Sequence, residues 1–244
     1  MNVYKQILDN TLSHHKMLVV LLDPEKQPVE TLSQICKYII ESKLSMIFVG
    51  GSGFAGNLDD YIKVLRRLLP ETCKIVLFPG HIHQISEYAD AVLFLSFLNS
   101  GADTHFTNQQ AVARQLYEWQ AETIPMGYML IDGGKQSATQ RTVRIQPFRQ
   151  EEVDSIVDAA IAGEMMGQNI IYLEAGSGAT TAVNTAIIEE VRDYTYSPLI
   201  VGGGIKSIEQ MNDAFNAGAD IVVIGNFFEK QPEQIPIFAQ NIEE

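Results

Sequence analysis

Eight short apolar runs, mostly bounded by Gly, Pro, Asp or Asn, leave this chain few ways to fold: Met17–Leu22, Met46–Val49, Ile75–Phe78, Ala91–Leu95, Met126–Ile131, Ile170–Leu173, Leu199–Val201 and Ile221–Ile224. They are continuous rather than alternating in polarity, as expected of parallel strands covered on both faces. Helical patterns lie between them. Val29, Leu32, Ile35, Ile39 and Ile40 keep one apolar face behind Pro28, a suitable first helical position. Further helices are expected over Asp59–Leu69, Asn108–Ala121, Glu151–Met166, Val183–Tyr194, Ile208–Ala217 and Glu233–Asn241. A strand followed by a helix, repeated about eight times, predicts an α/β chain whose parallel sheet closes into a (β/α)8 barrel.

Two intervals break the rhythm. Pro79 to Asp90 is about the minimum for a crossover containing a helix, so the third helix is expected to be short, distorted or absent. Asp132–Gln150 is a long polar connection carrying Arg141, Arg144 and Arg149, a length that marks a functional lid or a mobile segment. No linker or low-complexity tract divides the chain. One barrel domain over residues 1–244 is therefore expected, a length close to the roughly 250 residues usual for such barrels.

The charge balance, 17 Lys and Arg against 30 Asp and Glu for a net −13, lacks the basic face of a nucleic-acid partner and excludes DNA and RNA. Cys36 and Cys73 form no metal-binding pattern and read as reduced core thiols. Met1–Lys16 has no continuous apolar region of a secretory signal, which favours a cytoplasmic protein. The longest apolar run spans six residues, Met17–Leu22, against the roughly 20 of a bilayer span. Any lipid chemistry here must use a pocket or a surface.

In barrels of this kind the active site stands at the C-terminal ends of the strands. Here those ends read Asp23-Pro24-Glu25, Gly50-Gly51-Ser52-Gly53, Pro79-Gly80-His81, Asn99-Ser100-Gly101, Asp132-Gly133-Gly134, Glu174 to Gly178, Gly202-Gly203-Gly204 and Gly225-Asn226. The last two suit a phosphate site, in which the bare amides of Gly203, Gly204, Gly225 and Asn226 approach an oxyanion. Glu174, ahead of a glycine turn, can accept a proton from a bound hydroxyl, or simply be a capping or surface charge. Asp23 and Ser52 offer hard oxygens of the type Mg²⁺ takes, although Ser52 reads equally as a turn serine. His14, His15, His81 and His83 have neither metal-site spacing nor carboxylate company and read as non-catalytic. Trp119, Phe78, Phe94, Phe97 and Tyr128 read as core, some of them able to line an apolar groove.

Leu22-Asp23-Pro24-Glu25-Lys26, Gly50-Gly51-Ser52, Tyr172-Leu173-Glu174-Ala175-Gly176-Ser177-Gly178, Gly202-Gly203-Gly204-Ile205 and Gly225-Asn226 together resemble the geranylgeranylglyceryl phosphate synthases and their heptaprenylglyceryl relatives, in order along nearly the whole chain. The resemblance implies a modified (β/α)8, or TIM, barrel with an irregular third helix. It also implies Mg²⁺-dependent transfer of a long prenyl group, geranylgeranyl first among them, from its diphosphate to the C3 hydroxyl of sn-glycerol 1-phosphate, releasing diphosphate. By the same resemblance Asp23 and Ser52 match the metal positions, and Glu174 matches the residue that deprotonates the hydroxyl. Tyr172, Leu173, Glu174, Ala175, Gly176, Ser177, Gly178, Gly203, Gly204, Gly225 and Asn226 match the glycerol-phosphate site. Some members carry a lysine two positions before the metal aspartate, where this chain has Leu21; that departure resembles the second group of the family, which forms larger assemblies, so a homo-oligomer is expected. From the residues alone two alternatives stay open: a sugar-phosphate isomerase or lyase pairing Glu174 with Asp23, and a phosphate-ligand sensor without catalysis.

Overall fold

The computed structural model describes residues 2–51, 57–80, 84–99, 105–143 and 145–242. Eight parallel strands, β1 (Met17–Leu22), β2 (Met46–Val49), β3 (Lys74–Leu77), β4 (Ala91–Phe97), β5 (Glu122–Leu130), β6 (Ile170–Glu174), β7 (Leu199–Gly202) and β8 (Ile221–Ile224), pair in chain order and close through β1 and β8. Around them lie α1 (Val3–Leu12), α2 (Leu32–Glu41), α3 (Leu58–Leu68), α4 (His105–Glu118), α5 (Ala138–Val143), α6 (Val153–Met165), α7 (Thr185–Tyr194), α8 (Ile208–Asn216), α9 (Asn226–Lys230) and α10 (Ile235–Gln240). This is the closed α/β barrel that the eight apolar runs predict.

The runs are continuous because both faces of each strand are buried. Leu18, Val20 and Leu22 of β1, Ile171 and Leu173 of β6, and Leu199 and Val201 of β7 pack outward against the helices. Met17 and Val19, Ile170 and Tyr172, Ile200, and Ile221 and Val223 of β8 fill the lumen. Successive strand residues point to opposite faces, so the sheet carries two cores at once. Each fully buried Val, Leu or Ile contributes about 1.5–3 kcal/mol relative to exposure. Cys36 and Cys73 are buried free thiols in the outer core, and burial pushes both up to about 12.

The lumen is plugged at the N-terminal end of the barrel by α1, which had no counterpart among the expected helices. Val3 and Ile7, one turn apart, pack into the lumen core, while the amides of Val3 and Tyr4 each donate to the Glu122 carboxylate at 2.8 Å. A carboxylate on the first amides of a helix satisfies donors that have no partner within the helix. Strand β5 starts at Glu122, four residues ahead of the expected start, because Pro125 stays in the strand and its carbonyl still accepts from the Asn169 amide at 2.9 Å. Among the described residues between β3 and β4 there is no helix, as the short interval implies.

The Asp132–Gln150 connection is tied to the barrel near both its ends. It contains α5, and Phe148 pairs with the end of β5 through Phe148 N to Leu130 O at 2.9 Å and Asp132 N to Phe148 O at 2.8 Å. The buried Asn99 side chain donates to the carbonyls of Leu130 and Gln146 and accepts from the Leu130 amide. Arg144, Ser100, Gly101, Gly53, His81 and His83 lie outside the described residues.

Candidate active site

The alternation that sorts side chains along a strand continues for one more step at its C-terminal end. The lumen series Met17, Val19, Leu21 leads to Asp23, and Ile170, Tyr172 leads to Glu174. Apolar residues thus fill the barrel, and carboxylates appear at its mouth. They open onto a cavity of about 890 Å³ whose lining includes Leu21, Asp23, Phe78, Tyr128, Tyr172 and Glu174. That size accommodates small-molecule ligands.

Glu174 is only 8 % exposed. Burial raises its carboxyl to about 7, against the opposing pull of the Tyr172 hydroxyl and of the Gly176 amide, which donates to Oε1 at 2.8 Å. Tyr172 is fully buried, and its hydroxyl lies over Gly202 beside Glu174 Oε2; it steadies the carboxylate through proximity, without a bond of full hydrogen-bond geometry. Gly203 adopts φ +79°, and a Cβ there would stand 2.6 Å from Glu174 Oε1. Only glycine brings the chain this close to the carboxylate.

The remaining members of the glycine turns frame one side of the mouth. Among the described residues, the amides of Ser177, Gly178, Gly203, Gly204 and Gly225 donate no hydrogen bond, and all five residues line the cavity. Five unengaged donors beside one cavity are available to an oxyanion. Asn226 also lines the cavity; its Oδ1 accepts from the Ser177 hydroxyl at 2.7 Å, tying the β6 and β8 turns together. Leu173 and Ala175 face outward into the helix layer, so within the Tyr172 to Gly178 stretch they support the turn from behind. Gly176 forms the turn itself with φ +100°.

Asp23 is 5 % exposed, and Oδ1 accepts from the Glu25 amide at 3.1 Å. Lys26 Nζ lies 3.0 Å from its Oδ2 and 3.4 Å from Glu229 Oε1. Burial alone would lower the lysine, but the Asp23 and Glu229 carboxylates prevail and raise it above its ordinary value. A Cβ on Gly51 would approach Asp23 Oδ1 to 2.3 Å, so the β2 turn presses its backbone against this carboxylate. Ser52, the other expected metal position, lies outside the described residues. A row of aromatic rings crosses the cavity: Phe78 stacks on Tyr172 with centroids 5.4 Å apart, Tyr172 on Tyr128 at 5.4 Å, and Phe97 meets Tyr128 edge-on at 5.1 Å.

The profile of the PcrB family matches residues 10–241. The chain belongs to the PcrB family. Among its relatives, the geranylgeranylglyceryl phosphate synthase of Zunongwangia profunda is 41% identical over 220 residues, covering 88% of this chain and 91% of the relative. That of Methanosphaera stadtmanae is 35% identical over 232 residues, covering 94% and 93%. Among solved structures, the (S)-3-O-geranylgeranylglyceryl phosphate synthase of Thermoplasma acidophilum in complex with sn-glycerol-1-phosphate superposes with a TM-score of 0.92 at 28% identity, over 99% of this chain and 98% of that one. The resemblance read from the sequence is thus borne out at the level of family and barrel.

Seen as a PcrB-family barrel, the mouth also holds residues that the strand-end reading passed over: Lys26, Lys135, Arg141, Lys206, Glu229 and Lys230 all line the cavity. Lys26 stands three residues after Asp23, and Glu229 three after Asn226, a spacing that brings side chains together on a helical turn. That spacing was the available signal. Lys135 and Arg141 belong to the Asp132–Gln150 connection. Asp132, in contrast, is exposed and accepts from the Gly134 amide within its own turn at 2.9 Å.

Proposed function

We propose that this PcrB-family chain is a prenyltransferase that joins a long-chain prenyl group, geranylgeranyl in the first instance, to the C3 hydroxyl of sn-glycerol 1-phosphate and releases diphosphate. The observation that carries this reading is the buried Glu174 carboxyl, raised to about 7, standing directly beside the unengaged amides of Ser177, Gly178, Gly203, Gly204 and Gly225. An acceptor with a phosphate at one end and a hydroxyl at the other fits that pairing. The relatives' name, geranylgeranylglyceryl phosphate synthase, and the sn-glycerol-1-phosphate bound in the Thermoplasma acidophilum structure support this reading.

In this reading the amides hold the phosphate of the acceptor, and Asn226 and Ser177 keep their two turns in register. Glu174 takes the proton of the C3 hydroxyl as the new C–O bond forms and the bond from the allylic carbon to the diphosphate breaks. A carboxylate titrating near neutrality is matched to that proton transfer. Leu21, Leu95, Phe97 and Phe78 supply the apolar lining for the isoprenoid.

Mg²⁺ would suit the donor present: the buried carboxylate of Asp23 is a hard oxygen of the type the ion takes, and substrate phosphate and water would supply the other ligands. Among the described residues no group of three or more His, Cys, Asp or Glu forms a metal cage, so Asp23 would hold the ion, with Ser52 joining it by family resemblance. When bound, Mg²⁺ neutralises charge on the leaving diphosphate. The test is diphosphate release with geranylgeranyl diphosphate as donor, followed by a coupled phosphate assay. Release should require sn-glycerol 1-phosphate and stop on chelation; release that ignores the acceptor, or none at all, would reject the proposal.

A further inference from the structure

A line of side-chain contacts runs across the mouth from Asp23 to the turn that faces the acceptor phosphate. Lys26 Nζ bridges Asp23 Oδ2 at 3.0 Å and Glu229 Oε1 at 3.4 Å. Glu229 Oε2 accepts from Asn226 Nδ2 at 3.0 Å, and Asn226 Oδ1 accepts from the Ser177 hydroxyl at 2.7 Å. Asp23 is buried and Glu229 largely so, with side chains 8% and 11% exposed, whereas Lys26 remains 43% exposed while lining the cavity. An ammonium has three donors. Two are engaged by carboxylates, which leaves a third for a ligand.

The other cations of the mouth stand elsewhere. Lys135 and Arg141 follow β5, which lies across the eight-stranded ring from β1, and Arg141 donates to the Gln136 carbonyl. Lys206 follows β7 and donates to the Ala179 carbonyl at 2.8 Å. Lys230 ends α9, next to Glu229. Strand β1 itself offers no cation below Asp23, because its last lumen position is Leu21, packed near Gly225. A diphosphate seated at Asp23 brings several negative charges to an acidic protein, and Lys26 is the ammonium in contact with that carboxylate.

Resting on the prenyltransferase reading, we infer that Lys26 is a ligand of the diphosphate group, and that Glu229 is its positioning residue, linking the diphosphate side of the mouth to the acceptor-phosphate side through Asn226 and Ser177. Asp23 and Glu229 hold the lysine upright between them. Loss of Glu229 therefore disturbs both substrates, whereas loss of the lysine charge disturbs one.

The test combines steady-state kinetics with calorimetric titration of inorganic diphosphate in the presence of Mg²⁺. Lys26→Gln should raise the KM for prenyl diphosphate and weaken inorganic diphosphate by at least tenfold each, with the KM for sn-glycerol 1-phosphate within twofold of wild type and thermal unfolding unchanged. Lys26→Arg should recover most of the loss. Glu229→Ala should raise both KM values, and Glu229→Gln, which can still accept from Asn226, should restore the acceptor KM but not that of the donor. Inorganic diphosphate that binds Lys26→Gln as it binds wild type, or binds neither, overturns the inference, as does a Glu229→Ala variant with both KM values unchanged. If wild type binds inorganic diphosphate through Lys26 yet forms no ether from any prenyl diphosphate, the proposed function fails and the assignment of Lys26 stands.

Discussion

A carboxyl taken out of water at the end of β6 is the base of the proposed reaction. Glu174 is held at about 7 when folded, against an ordinary value of 4.5. As the proposed base it must be ionised, so kcat/KM is expected to rise with pH and level off above a midpoint near 7. Glu174→Gln should lower kcat by about 10²-fold or more and abolish that limb. The same shift has a sign for stability. The folded chain binds this proton more tightly than the unfolded one, so the contribution is complete below about 4.5 and is lost as pH rises through 7. Thermal unfolding of Glu174→Gln against wild type should therefore show the variant gaining relative stability between pH 5 and pH 8; an offset independent of pH would contradict the burial of an ionisable group here. Gly203→Ala places a methyl 2.6 Å from Glu174 Oε1 at φ +79°, and is expected to cost about 1–3 kcal/mol of stability and to weaken glycerol-phosphate binding, measured by denaturation and by calorimetry. Glu174 and the glycine turns could be read in the sequence because each directly follows an apolar run. Tyr172 entered only through the family resemblance: its polar atom is a single hydroxyl on an otherwise core residue, and only the closed barrel shows it beside the carboxylate.

At the scale of elements, segments with a continuous apolar run or a sustained apolar stripe were legible and those without one were not. The strands of β1, β2 and β8 match their apolar runs residue for residue, since burial on both faces leaves no polar interruption. Helix α1 escaped because its buried stripe within the span is only Val3 and Ile7, and what holds its first turn is Glu122, more than a hundred residues away. Helix α5, six residues long, lies within a polar stretch and is placed by contacts from β5 and Asn99 to its surroundings rather than by its own pattern. The floor and the mouth are opposite ends of the same strands, which allows them to be separated experimentally. Glu122→Ala leaves two α1 amides without their acceptor and should lower stability by about 1–2 kcal/mol, read as a shift of the urea midpoint. Turnover at 25 °C should stay within twofold of wild type. A large loss of activity with intact fold would show that α1 communicates with the mouth.

For the whole molecule, a net charge of −13 argues against polyanionic partners while the mouth is arranged for small anions. The two statements concern different distances. Global charge governs approach from afar, whereas in the proposed reaction five unengaged amides, Lys26 and a metal held by Asp23 would act at contact. No helix among the described residues is long and apolar enough to cross a membrane. The closure of eight parallel strands into a barrel was legible from the repeat of apolar run and helix. The pairing of Lys26 with Glu229 was not, because it joins the turn after β1 to the helix after β8 and exists only once the barrel closes. The most direct measurement is incubation of wild-type protein with labelled sn-glycerol 1-phosphate, Mg²⁺ and prenyl diphosphates of several lengths, followed by organic extraction and mass analysis. The expected result is a prenyl ether on the C3 oxygen that carries the label into the organic phase; label that stays in water with every prenyl length would contradict it.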